Sequence, residues 1–203
     1  MSKLRGFTLI ELLIVVAIMA ILAAIAVPNF LEAQVRAKVS RALADLRTIA
    51  TGLEAYTVDH NSPPPNDGDL NVIPVELTTP VTFLSTKDLV DPFAIGIEDY
   101  RSALESRSRY YTYTRIVTYS EAAFWASVGR PCPNEAVDHW SLNDGAFEKY
   151  GKWRLVCVGP DRVYLSLEFP PPLRGSDVPY EATNGTRSFG NILRTQKNAR
   201  VVQ

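Results

Sequence analysis

A chain of 203 residues, 46% hydrophobic and 21% charged, has room for one globular domain plus one apolar segment, not for a string of domains. The net charge of −1, with no basic run and no stacking motif, argues against nucleic acid as a direct partner. The only histidines, His60 and His139, stand in no metal-binding spacing, and there is no Gly-x-Ser-x-Gly elbow or phosphate-binding glycine loop, so the sequence offers an enzyme no evident chemical centre.

Taken in order, the chain begins with a short stretch, Met1 to Arg5, that carries Lys3 and Arg5. From Phe7 to Val27 the only charge is Glu11, and the run stops at Pro28. At about 1.5 Å per residue this run matches a bilayer core of about 30 Å. A carboxylate inside such a segment is costly and marks function by default. Lys3 and Arg5 place the N-terminus on the cytoplasmic side, so the rest of the chain faces outward.

Gly6-Phe7-Thr8-Leu9-Ile10-Glu11, with the basic leader before it and Pro28 after it, resembles the N-terminus of type IV prepilins and of the pseudopilins of type II secretion systems. The resemblance is specific from Lys3 to about Phe30 and weaker through the following helix. It implies a leader, 1–6, that prepilin peptidase removes between Gly6 and Phe7, methylating the freed amine. It further implies a transmembrane or filament-core helix over 7–28, an amphipathic half of the same helix over 29–60, and a globular head over 61–203. Phe7, Glu11 and Pro28 are then the assembly residues. The implied partners are copies of the chain in a homo-oligomeric filament, other pilin-like subunits, prepilin peptidase and an inner-membrane assembly platform. The implied location is a single pass of the bacterial inner membrane with the head in the periplasm, and the filament after assembly.

The chemistry behind that arrangement is direct. In the precursor the Phe7 nitrogen is an uncharged amide, so Glu11 has no ionic partner there. Cleavage creates a cation beside an apolar helix, and a neighbouring subunit shifted along the axis can bring its Glu11 to it. In a low-dielectric bundle such a pair attracts strongly, but desolvation is also costly, so it sets register more than it stabilises. The competing readings are a secretory signal cleaved near Ala24 to Ala26 and a plain anchor, which has no need of Glu11. Loss of Lys3 and Arg5 with the leader leaves 19 basic against 22 acidic residues.

Beyond Pro28, Val35, Val39, Leu43, Leu46, Ile49, Leu53 and Tyr56 recur at three- and four-residue steps, the stripe of a helix packed on a domain. One long helix from Phe7 to about Val58 is expected, kinked or loosened between Ala24 and Pro28, because proline lacks the donor for the carbonyl four residues back. Asp59 to Pro65 ends it. An irregular connection to about Arg109 follows, in which Leu89-Val90-Asp91-Pro92-Phe93 is a turn signal that also resembles the segment before the sheet in the major pseudopilin. Strands are expected over Tyr110 to Tyr119, Lys152 to Val158 and Val163 to Leu167, with a short helix over Ser120 to Val128. The expected class is α+β: a long N-terminal helix laid on a small antiparallel sheet.

The tail, Tyr180 to Leu193, is polar and punctuated by glycine, with Asn184-Gly185 as a turn. It resembles the C-terminal loop of pseudopilin heads, which binds calcium in the major pseudopilin. Asp161, Asp177 and Asn184 are the oxygen donors available for such an ion. The alternative is solvated loop carboxylates, since Arg162 and Val163 interrupt the acidic pattern. Cys132 and Cys157 face an oxidising space and are candidates for a disulfide; the alternative is an ordinary buried thiol at Cys157. Function follows the resemblance: a structural, non-enzymatic subunit of a secretion pseudopilus, with the type IV pilin of a surface fibre used in adhesion, motility or DNA uptake as first alternative, and a membrane-anchored binding domain or enzyme behind both.

Overall fold

The computed structural model describes residues 7–65, 73–94, 110–116, 127, 150–160, 162, 180 and 190–197. The chain forms two compact units, Met1–Ala37 and Lys38–Gln203. A single helix, α1, runs from Leu9 to His60 and contributes to both.

Helix α1 starts where Thr8 caps it and ends where Asn61 takes a left-handed φ of 57°. Asparagine tolerates that conformation at a helix C-terminus, and Pro63 bars a further turn. The expected kink or loosening near Ala24 to Pro28 does not interrupt the helix, which passes unbroken through Pro28. Proline removes one backbone bond, that to the Ala24 carbonyl, while the Leu-, Ile- and Ala-rich turns on both sides keep theirs.

In the first unit nothing covers the apolar side chains among the described residues. Every large hydrophobic residue from Phe7 to Leu31 is between 46% and 82% exposed. In the second unit the pattern inverts: Ala42, Leu46, Ile49, Ala50, Gly52 and Leu53 of α1 are buried. The expected stripe is therefore right at Leu46, Ile49 and Leu53, but Val35, Val39, Leu43 and Tyr56 are only half-buried. The closest packing falls instead on small residues. A methyl group added at Gly52 would lie 3.2 Å from the Phe83 carbonyl oxygen and 3.7 Å from the Leu84 Cβ. Glycine thus lets the segment after the 3₁₀ turn Val75–Leu77 lie directly on the helix. That segment is held by Phe83 and Leu84 N–H groups, both donating to the Leu77 carbonyl.

The sheet has three antiparallel strands in the order β1 (Thr112–Arg115), β2 (Trp153–Cys157), β3 (Ile192–Thr195). Tyr113 pairs with Leu155 and Arg115 with Trp153; Leu155 in turn pairs with Arg194 and Cys157 with Ile192. The first two strands fall inside the predicted ones. The third strand of the sheet comes from the tail, where the sequence predicts a loop. The predicted strand Val163 to Leu167 and the Asn184-Gly185 turn lie outside the described residues, and of the predicted helix Ser120 to Val128 only Ser127 is described. The α+β architecture, long helix plus small antiparallel sheet, stands.

Two side-chain bonds register the sheet on the helix, and a third holds the chain just beyond it. The Tyr111 hydroxyl donates to Asp45 Oδ2 at 2.8 Å, and Trp153 Nε1 donates to Glu54 Oε1 at 3.1 Å. The Tyr113 hydroxyl donates to the Pro64 carbonyl at 2.7 Å, fixing the chain where it leaves α1. Tyr111, Tyr113 and Trp153 are buried, so each carries its donor into the core only because a partner waits there.

Candidate functional site

The N-terminal site is built by four residues of one helical turn. Thr8 is the residue before α1 and Glu11 is its third, the spacing of a capping box. The Glu11 N–H donates to Thr8 Oγ1 at 3.3 Å, while Glu11 Oε2 accepts from the Thr8 N–H at 2.9 Å and from the Thr8 hydroxyl at 2.7 Å. The carboxylate thereby occupies the positive end of the helix and satisfies donors that α1 cannot satisfy itself. Phe7 precedes this cap and is 74% exposed. Glu11 thus has a capping role beside the ionic one, and the Thr8-x-x-Glu11 pattern is its signal in the sequence.

From this cap to Glu32 the helix carries no further charge. It is long and apolar enough to cross a membrane, and its apolar stretch is unburied. An exposed apolar surface of this extent needs lipid or other protein around it. Pro28 sits at the end of that stretch, inside the helix.

Of the remaining predicted residues, Gly6, Cys132, Asp161, Asp177 and Asn184 lie outside the described part of the chain. Among the described residues no group of three His, Cys, Asp or Glu side chains is placed to hold a metal ion. Cys157 is a buried free thiol. His60 is exposed at the end of α1, stacked on Tyr56 at a ring separation of 4.0 Å, with Phe83 edge-on to Tyr56.

A second polar centre, in the head, went unrecognised in the sequence. Asp91 is completely buried. Its Oδ1 accepts from the Phe93 N–H at 2.8 Å and from the Cys157 thiol at 3.3 Å, and its Oδ2 accepts from the Val158 N–H at 2.8 Å. The bond to Phe93 makes the Asp-Pro-Phe piece a side-chain turn. The other two tie that turn to the end of β2. Burial pushes the Asp91 carboxyl above the usual carboxylate range, against the hydrogen bonds that pull it down. Burial, reinforced by the Asp91 charge, pushes the Cys157 thiol up as well, which makes it unreactive while covered. Burial and the Asp45 acceptor keep Tyr111 protonated well past the ordinary phenol range.

Comparison with known proteins finds similarity over part of the chain. Residues 1–27 match the family described as "Prokaryotic N-terminal methylation motif". The chain is 56% identical over 52 residues to the "Type IV major pilin protein PilA" of Myxococcus xanthus, covering 26% of this chain and 24% of that protein. It is 50% identical over 62 residues to the "Type IV wide pilus major component PilA4" of Thermus thermophilus, covering 30% and 47%. It is 35% identical over 80 residues to the "Type II secretion system core protein G" of Vibrio cholerae, covering 39% and 55%. The chain thus spans between a quarter and about half of these relatives' length. No solved structure matches.

Proposed function

We propose that the chain is the subunit of a type IV pilin-like filament, stored in the membrane as a precursor and released for assembly by cleavage between Gly6 and Phe7. The observation that carries this reading is an unburied apolar stretch of α1 whose single carboxylate, Glu11, lies one turn from the residue that becomes the new N-terminus. The match of residues 1–27 to the methylation motif supports it.

Hydrolysis of the Gly6–Phe7 amide frees an amine that is protonated at neutral pH, and methylation leaves it a cation. In the precursor Glu11 is satisfied by Thr8. In the filament the apolar helices pack side by side, lipid is replaced by protein, and the Glu11 carboxylate of one subunit meets the Phe7 amine of a neighbour. Because a charge left alone in that bundle is heavily penalised, only the axial shift that pairs the two is tolerated. Prepilin peptidase and an inner-membrane assembly platform are the partners this pathway needs, and the head faces the periplasm. The subunit performs no chemistry of its own.

Of the filament systems, type II secretion fits better than a surface fibre. The similarity to the secretion protein runs over 80 residues, against 52 and 62 for the two pilins, and 80 residues are more than the 52 of α1 can hold. Apolar helices resemble one another cheaply, whereas residues outside the helix carry the identity of the head. The buried Asp91 turn lies in the segment that resembles the major pseudopilin.

Intact-mass and N-terminal analysis of protein from its native membrane tests the proposal. A chain that begins at N-methylated Phe7 is expected. An intact Met1 in assembled material, or a start just after Ala24 to Ala26, overturns it. Glu11→Ala protein should be inserted and cleaved yet absent from filaments, and filaments of this variant at normal abundance refute the charge-pairing step.

A further inference from the structure

We infer that the turn Val90–Ala94 is a strap clasped by Asp91, which opens as a unit while the sheet stays folded. The chain leading into it holds on weakly. Among the described residues, Ser85 to Val90 are exposed or half-buried, and their backbone is tied down by the Asp88 N–H donating to Thr86 Oγ1 and by one isolated bridge, Val90 to Tyr110. Beyond Val90 everything turns inward: Asp91, Phe93 and Ala94 are at most 3% exposed.

Among the described residues the clasp is a carboxylate buried against neutral donors. Among the described residues no cation lies in ion-pair contact with Asp91; the nearby Lys38 sits over the Phe93 ring, 5.9 Å from its centroid. Its docked state therefore sets three hydrogen bonds against the desolvation of a charge. In the open state water solvates the carboxylate fully. Such a balance puts the segment at the low end of local stability, whereas the β1–β2–β3 ladder has hydrogen bonds on both sides of its central strand. Opening would bare Phe93, Cys157 and Val158, a patch that is covered while the clasp holds.

Native-state hydrogen exchange on the full chain in detergent micelles tests the strap. The Phe93 and Val158 amides, which the Asp91 side chain holds, should exchange at least about tenfold faster than those of Leu155 and Val156, with little dependence on added denaturant. Asp91→Asn replaces an acceptor by a donor facing the Val158 N–H. It should speed exchange at Phe93 and Val158 about tenfold more while leaving Leu155 unchanged. Exchange of all these amides at one rate, steeply dependent on denaturant, overturns the inference. So does an Asp91→Asn chain in which Leu155 accelerates as much as Phe93. A readout without change at Asp91 uses full-length Cys132→Ser protein and iodoacetamide, whose iodide leaves as the Cys157 thiolate forms the new S–C bond. Alkylation is expected at the strap-opening rate; alkylation only at the rate of global unfolding refutes it.

Discussion

Tyr111→Phe isolates one of the bonds that register sheet on helix. The ring is fully buried and its hydroxyl donates to Asp45 Oδ2 at 2.8 Å. Phenylalanine keeps the ring and its packing, so the loss is the hydrogen bond and not a cavity. A bond to a charged acceptor contributes about 1.5–3 kcal/mol net when buried. Here the Asp45 side chain is 23% exposed and has Arg41 Nε at 3.7 Å, so water and the guanidinium take over part of its solvation. A loss of about 1–2 kcal/mol is expected once that screening is counted. For a unit of this size each kcal/mol corresponds to about 2–4 °C in Tm. The assay is denaturation of the full chain in detergent micelles by near-UV circular dichroism, on wild type, Tyr111→Phe, Asp45→Ala and the double variant. Asp45→Ala should cost at least as much as Tyr111→Phe, because it strands a buried hydroxyl. The double variant should fall well short of the sum, giving a coupling of about 1 kcal/mol. Additive single costs would mean that the two side chains do not share a bond, and the register argument would fail.

Trp153→Phe should lose both the bond to Glu54 and some packed volume, costing about 2–3 kcal/mol, measured in the same denaturation assay. It should add to Tyr111→Phe, because Asp45 and Glu54 are separated by about 13 Å along the helix. Gly52→Val should destabilise the head by about 2 kcal/mol, as its branched side chain meets the Phe83 carbonyl, which lies only 3.2 Å from where even a methyl group would sit. Stability of wild type retained in Gly52→Val would show that the Phe83–Leu84 segment moves freely off the helix. Asp91 predicts a pH dependence. Its carboxyl is raised in the folded state, so its contribution is fully present below the ordinary carboxylate value and is lost as pH rises through the raised one. Among the described residues, Cys157 and Tyr111 are titratable groups facing it, with Lys38 over the Phe93 ring. Wild type should therefore gain stability relative to Asp91→Asn as pH is lowered from 7 toward about 4, where Asp91 reaches the ordinary carboxylate range. A difference that widens in the opposite direction refutes the buried-carboxyl reading.

Local signals were legible and long-range ones were not. The apolar run, its single Glu11 and the β-branched and aromatic stretches around Thr112 and Trp153 carry their structure in consecutive residues, and they were read. Strand β3 is four residues long and follows Gly190, so it offers too little alternation to stand out from a tail. Ala42, Ala50 and Gly52 were invisible because a stripe drawn through large apolar residues misses positions buried for being small. Asp91 read as a turn signal, correctly at Phe93. Its partners Cys157 and Val158 stand 66 and 67 residues away, where no spacing rule reaches.

Glu11 and Asp91 answer the same physical problem in opposite ways. Each is a carboxylate in or destined for an apolar setting, where an unsatisfied charge is not tolerated. Glu11 finds its donors within three residues, in Thr8, so its environment forms with the first turn of α1 and asks nothing of the head. Asp91 finds two of its three donors at the end of β2, in Cys157 and in Val158 just past it, so its environment exists only once the sheet has formed. Their perturbations should therefore separate. Asp91→Asn should speed amide exchange at Phe93 and Val158 while leaving cleavage at Gly6–Phe7 unaltered. Glu11→Ala should leave the denaturation midpoint of the head where it was while emptying the filament of subunits. If Asp91→Asn blocks cleavage, or Glu11→Ala shifts head unfolding, the two sites are coupled and the division of labour argued from their donors is wrong.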